Sequence, residues 1–182
     1  MPLICLDLCS GLGGASQAMR DRGWTVITVD IDPSFHPTIV ADIRTWSWTG
    51  QRPDLIWCSP PCTEFSKQSM PWYDHNQRPD LKWVNACRRI IRECQPKAWI
   101  IENVRGAIPF LGKPTESHHP YHLWGNFPPL GRVDFSRIQR KEPRHGSARR
   151  ALIPYPLSLA VARAIEMQMS FAGEVLTDER PL

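Results

Sequence analysis

Two residues forty positions apart carry the sharpest chemical suggestion in this 182-residue chain: Cys62, behind Pro60-Pro61, and Glu102, straight after Trp99-Ile100-Ile101. Proline fixes φ, so the loop presenting the thiol is confined to few shapes. A cysteine held beside a carboxyl and a ligand cleft is a candidate nucleophile, whereas the bland reading is packing, since free cysteine is among the most buried residue types. Cys58 and Cys62 could instead ligate a metal, although their gap of three residues and the lack of a second pair speak against it. His118, His119 and His122 form another ligand-like cluster. A further group is the run Gly11, Gly13 and Gly14, which lets a ligand approach backbone amides or simply makes a tight turn. Asp30 stands where an acidic group in nucleotide-binding folds accepts from ribose hydroxyls. Asp42 could accept from an adenine amino group or cap a helix.

These residues need a scaffold that delivers them to one place. Apolar runs over Leu3–Cys9, Thr25–Val29, Thr38–Ala41, Asp54–Cys58 and Ala98–Ile101 read as buried parallel strands, each ending in an acidic or special residue. Helices are predicted over Ala15–Arg22, closed by Gly23, and over Leu81–Cys94, where Val84, Cys87, Ile91 and Cys94 form one stripe. Such alternation predicts an α/β fold with a doubly wound, mostly parallel sheet, whose ligands bind beyond the carboxyl ends of the strands. Short antiparallel strands are expected at 121–127 and 133–138. A last helix is expected from Pro156 to Met169, with Leu159, Ala162, Ile165 and Met169 inward.

At 42% hydrophobic and 22% charged residues, the chain can bury one sizeable core. A single domain over 1–171 and a flexible tail over 172–182 are expected. No apolar stretch approaches the roughly 18 residues a membrane helix needs, and Leu3–Leu8 lacks a basic leader, so a cytoplasmic protein with no membrane partner is expected. Six cysteines without a Cys-x-x-Cys pair suit a reducing compartment. Residues 132–150 hold seven basic residues against two acidic ones in a chain of net charge +4. That segment is either a solvated arginine-rich loop or a contact for a phosphate backbone.

Asp7-Leu8-Cys9-Ser10-Gly11-Leu12-Gly13-Gly14, Pro60-Pro61-Cys62-Thr63-Glu64-Phe65-Ser66 and Glu102-Asn103-Val104 follow one another in the order and spacing of known motifs. In them the chain resembles the cytosine-C5 DNA methyltransferases over residues 3–106. The resemblance implies a Rossmann-like fold of the S-adenosylmethionine-dependent type. It also implies a cofactor site from Asp7, Cys9, Gly11, Gly13, Gly14, Asp30, Ile31, Asp42, Ile43, Ser59 and Pro60. Cys62 would be the nucleophile and Glu102 its partner, with Arg140, from a partial match to a Gln-x-Arg-x-Arg motif, contacting base or phosphate. The chemistry requires such a pair, because C5 of cytosine is a poor nucleophile until a thiolate adds at C6 and N3 is protonated. Glu102 must then be protonated and Cys62 anionic, and the base must leave the duplex stack.

The chain departs from that family at Cys9, where an aromatic is usual, and at Thr63, where glutamine is usual. Ile153-Pro154-Tyr155-Pro156 lacks the glycine and asparagine of a late cofactor motif. Only about a dozen residues separate Lys141 from Ile153, where the family inserts a target recognition domain. Relaxed or short sequence specificity is therefore expected, with phosphate contacts from 132–150, stacking by Trp72, Tyr73 or Trp124, and possible help from a recognition partner protein. Single-stranded DNA, RNA, a free cytosine nucleotide or a modified methyl donor stay open as substrates, as does a non-catalytic DNA- or partner-binding protein.

Overall fold

The computed structural model describes residues 1–67, 70–72, 74, 76–136 and 152–177. The apolar runs form strands β1 (Ile4–Leu8), β2 (Thr25–Asp30), β3 (Ile39–Val40), β4 (Leu55–Cys58) and β5 (Ala98–Asn103). Two further strands, β6 (Glu116–His118) and β7 (Tyr121–Asn126), complete a seven-stranded sheet of order β3-β2-β1-β4-β5-β7-β6. The first five strands pair in parallel, while β7 runs antiparallel to both its neighbours. The helices are α1 (Gln17–Asp21), α2 (Thr63–Lys67), α3 (Lys82–Cys94), α4 (Ile108–Leu111) and α5 (Tyr155–Thr177). This is the doubly wound Rossmann-like α/β arrangement that the alternating pattern predicts.

Strand alternation divides the core in two. Cys5, Leu55, Trp57 and Ile100 point to the face covered by Ala18 and Met19 of α1 and by Leu157, Val161, Ala162 and Ile165 of α5. Leu6, Leu8, Ile56, Cys58 and Ile101 point to the opposite face, against Val84, Cys87, Ile90 and Ile91 of α3. Burying an aliphatic side chain of this size contributes about 1.5–3 kcal/mol, so both helix layers are held chiefly by apolar contact. Polar ties fix the register of α5. Ser158 Oγ donates to the Ala15 carbonyl at 2.6 Å and accepts from the Ala18 amide, while Glu166 accepts from Arg22 and from Trp24 Nε1. Among the described residues no helix is long and apolar enough to cross a membrane.

The structure corrects several expectations. No strand forms over 133–136, the described part of the 133–138 stretch, and β7 pairs instead with β6. The three residues of β6, Glu-Ser-His, carry no apolar alternation, and their pairing comes from proximity across a two-residue turn. The last helix starts at Tyr155 and extends past Met169 to Thr177. Leu157 and Val161 take core positions beside Ala162 and Ile165, leaving Leu159 and Met169 only partly buried. Trp124 is not a stacking surface: it is buried, and its Nε1 donates to the Gly112 carbonyl at 2.8 Å. Trp72 is 74% exposed, and Tyr73 lies outside the described residues.

Candidate active site

Strand register assembles the site. Leu8 is level with Val29 and with Cys58, and Cys58 with Ile101, so the next residues, Cys9, Asp30, Ser59 and Glu102, form one row at the carboxyl ends. The chain order reverses between β1 and β4, where open α/β sheets leave a crevice. A cleft of about 730 Å3 opens there, and Cys9, Gly11, Gly14, Asp30, Ile31, Ile43, Ser59, Pro60, Cys62 and Glu102 all line it. Three of the residues expected at a cofactor do not. Asp7 is buried behind the glycine loop, the Gly13 carbonyl is turned to Arg20, and both Asp42 oxygens are held by the Arg44 guanidinium. Asp42 Oδ1 also accepts from the Arg44 amide, a local cap for the turn that follows β3.

The glycine loop is pinned from two sides. Asp30 accepts from the Gly11 amide at 2.8 Å through one oxygen and from the Asp32 amide through the other. Arg20 donates to the Gly13 carbonyl at 2.7 Å and to Ser16 Oγ, which in turn donates to Asp7 Oδ2 at 2.6 Å. Burial lifts the Asp7 carboxyl to about 6 against the opposing pull of Ser16 and Arg20, and its Oδ1 has no protein partner. Gly14 admits the returning chain: a Cβ there would lie 2.5 Å from the Ile153 carbonyl oxygen. Cys9 adopts φ 56°, and contact with the Cys87 thiol together with burial holds its own thiol well above its ordinary value.

Across the cleft, Asn103 ties the cysteine loop to β5, its Nδ2 donating to the Pro60 carbonyl at 3.0 Å. The Cys62 carbonyl accepts from the Phe65 and Ser66 amides as α2 begins, so the thiol is carried by a loop fixed at both ends. Glu102 reaches the same cleft from the end of β5. Burial pushes its carboxyl up to about 7, with the Ser59 hydroxyl working against the rise. A half-exposed thiol and a carboxyl that keeps its proton near neutrality thus face one ligand-sized space, the pairing that nucleophilic attack with proton donation requires.

Several lining residues escaped the sequence reading. Phe35, Trp83, Tyr121, Leu152 and Ile153 all border the cleft. Only Ile153 had a signal, standing where the family's late cofactor motif would be. Arg140 and the cationic stretch beyond Ser136 lie outside the described residues up to Leu152. Two of the three histidines have local partners: His118 pairs with Glu116 at 2.7 Å, and His122 is buried with Nδ1 against Ser117 Oγ. Among the described residues no group of three or more His, Cys, Asp or Glu could hold a metal.

Residues 3–113 match the sequence profile of the family described as C-5 cytosine-specific DNA methylase. A protein of Frog virus 3 (isolate Goorha), named "Probable DNA (cytosine-5)-methyltransferase", is 33% identical over 114 residues, 54% of this chain and 52% of the relative. Type II methyltransferase M.NgoMIV of Neisseria gonorrhoeae is 29% identical over 143 residues, 72% of this chain and 44% of the relative. The solved Dnmt2 methyltransferase of S. pombe aligns with a TM-score of 0.40 and 21% identity, covering 59% of this chain and 38% of that one. The chain spans about half the length of the curated relatives it matches. With more than half of its own residues inside the profile, it belongs to the C-5 cytosine-specific DNA methylase family.

Proposed function

We propose that the protein is a cytoplasmic DNA (cytosine-5)-methyltransferase that uses S-adenosylmethionine and works through a covalent bond between Cys62 and C6 of the target cytosine. The observation that carries this reading is that Cys62 and a proton-holding Glu102 share one cleft with the glycine loop and Asp30. The residues present fit the cofactor. Asp30 keeps acceptor capacity for ribose hydroxyls beyond its two amide donors. Ile31, Ile43 and Trp83 offer apolar and aromatic walls for a purine, and Ser59 and Pro60 close the side next to Glu102. When bound, the cofactor supplies an electrophilic methyl group.

The chain's own residues supply the rest. Cys62 adds as thiolate to C6, and Glu102 donates its proton to N3, so the electron pair of the C5–C6 bond becomes available at C5. After C5 has gained its substituent, loss of the C5 proton to a base and departure of the thiolate restore the ring. Asn103 acts on neither atom. It holds the Pro60 carbonyl and with it the angle at which the thiol approaches. The ring cannot be reached inside a duplex, so the base enters flipped out or from a single strand. Cations of the 132–150 segment would contact phosphates without reading sequence, which supports short or relaxed specificity unless a partner protein adds recognition.

DNA carrying 5-fluorocytosine tests the covalent step, because fluorine cannot leave C5 as a proton and the adduct accumulates. With S-adenosylmethionine present, a complex stable to denaturant is expected for the wild type and none for Cys62→Ala. Duplex and single-stranded DNA assayed in parallel identify the substrate form. Tight DNA binding without any adduct in either form would favour a non-catalytic binding role.

A further inference from the structure

We propose that Arg105, His119 and His122 form a phosphate-binding subsite beside the mouth of the cleft, taking a phosphate of the cytosine nucleotide whose base enters it. The inference rests on the cytosine reading of the cleft. Strand register gathers the parts: Ser117 of β6, His122 of β7 and Asn103 of β5 are level with one another, so their side chains share one face of the sheet. His122 is 7% exposed, and its Nδ1 lies 2.9 Å from Ser117 Oγ. Its Nε2, at the other edge of the ring, is buried with no hydrogen-bond partner among the described residues. The Ser117 hydroxyl can donate to Nδ1, which leaves the ring hydrogen on Nε2 as a buried donor. Folded proteins rarely leave such a donor unpaired.

The groups around that donor are cations. Arg105, in the turn that follows β5, and His119, between β6 and β7, are both exposed. Neither side chain has a hydrogen bond or ion pair among the described residues. Burial first, and then the charges of His119 and Arg105, hold the His122 imidazole below its ordinary range, so the three stand close together. The acids nearby are committed elsewhere. Glu116 accepts from the Leu130 amide and pairs with His118, and its register with Leu123 puts it on the opposite face of the sheet from His122. Glu102 is level with the same Leu123. Such a gathering of basic groups suits a ligand that brings its own negative charge. Its place selects the ligand, because Val104, just before Arg105, and Pro120, just after His119, both line the cleft. A base inserted toward Cys62 and Glu102 leaves its sugar at the mouth, where the attached phosphate meets the Arg105 fork and His119, with the Nε2 hydrogen behind them.

Fluorescence anisotropy with a labelled single-stranded oligonucleotide containing one cytosine, read with S-adenosylhomocysteine present, tests this. The strand is used intact and with an uncharged methylphosphonate placed either at a phosphate flanking the cytosine or several nucleotides away. Neutralising one flanking phosphate is expected to weaken wild-type binding about tenfold more than neutralising the distant one. Arg105→Gln is expected to lose about as much on the intact strand and nothing further on the flanking methylphosphonate, because the two changes remove one interaction. His119→Gln is expected to show a smaller loss with the same coupling. Arg92→Gln, which removes an exposed cation of α3, is expected to bind as the wild type does. Arg105 and His119 are surface residues, so both variants should unfold at the wild-type temperature. Competition by deoxycytidine monophosphate and by deoxycytidine separates the two sources of phosphate. A monophosphate that competes better than the nucleoside, with the advantage lost in Arg105→Gln, assigns a free nucleotide; equal competition with the methylphosphonate effect in place assigns a strand phosphate. Losses from Arg105→Gln and the flanking methylphosphonate that simply add, or equal effects of flanking and distant methylphosphonates, would overturn the subsite. Failure of the wild type to bind either the strand or the monophosphate would instead overturn the cytosine reading, and this inference with it.

Discussion

At the scale of the residue, the proposed chemistry asks for a proton on Glu102 when Cys62 attacks. Glu102 needs its proton, and its burial at the end of β5 keeps the carboxyl at about 7. The sign of the consequence for stability is fixed. Between the ordinary carboxyl range and pH 7 the unfolded chain has lost this proton while the folded chain still holds it, so stability falls as pH rises through that window. Asp7, lifted to about 6, adds to the same decline. Glu102→Gln is expected to flatten the dependence of the unfolding temperature on pH between about 4.5 and 7, while lowering turnover roughly 10²–10⁴-fold because the amide cannot give a proton to N3. A pH series of calorimetric scans with a single-turnover assay checks both. Both members of the pair were legible in the sequence, since a proline-held thiol and a carboxyl after an apolar run are local features. The bidentate pair of Asp42 with Arg44 was not, because Arg44 is an exposed surface residue and nothing in the spacing marks it as a partner.

At the scale of the element, strand ends do the positioning and small residues let the loops close on them. Gly106, just past the Glu-Asn-Val motif, is one such point: a Cβ there would lie 2.5 Å from the Phe65 backbone oxygen in α2. Backbone cannot yield as a flexible side chain can, so Gly106→Ala is expected to cost about 1–3 kcal/mol of stability. It should also displace the helix that follows Cys62 and slow turnover more than it weakens cofactor binding. Denaturant unfolding and separate kcat and cofactor Kd measurements test this. On the other face, Glu166 joins Arg22 and Trp24 to α5, and Glu166→Ala is expected to cost about 1 kcal/mol with catalysis intact. The five parallel strands could be read from apolar runs because burial on both faces demands continuous hydrophobicity. The strand β6 could not, since three polar residues at a sheet edge gain their order only from β7.

At the scale of the whole molecule, the described residues form the sheet and its two helix layers, in a chain that spans about half the length of the curated relatives it matches. The cationic cluster over 132–150 lies in sequence between β7 and α5, so the described core presents the cleft while the segment supplies charge. DNA binding is accordingly expected to weaken steeply with salt, with a log-log slope of about −0.9 per phosphate neutralised on duplex. It is also expected to vary little among unrelated sequences of equal length. Titrations at several salt concentrations on scrambled duplexes test both, and a footprint confined to one defined site of several base pairs would contradict the second.

The central claim is that Cys62 and Glu102 together methylate cytosine at C5. Unmethylated duplex and single-stranded DNA should be incubated with purified protein and S-adenosylmethionine, digested to nucleosides and weighed by mass spectrometry, with Cys62→Ala as control. The expected result is a gain of one methyl group on deoxycytidine at C5, present with the wild type and absent with the variant. Methylation that persists in Cys62→Ala, or no methylated deoxycytidine from either DNA while the protein binds both DNA and cofactor, would contradict it.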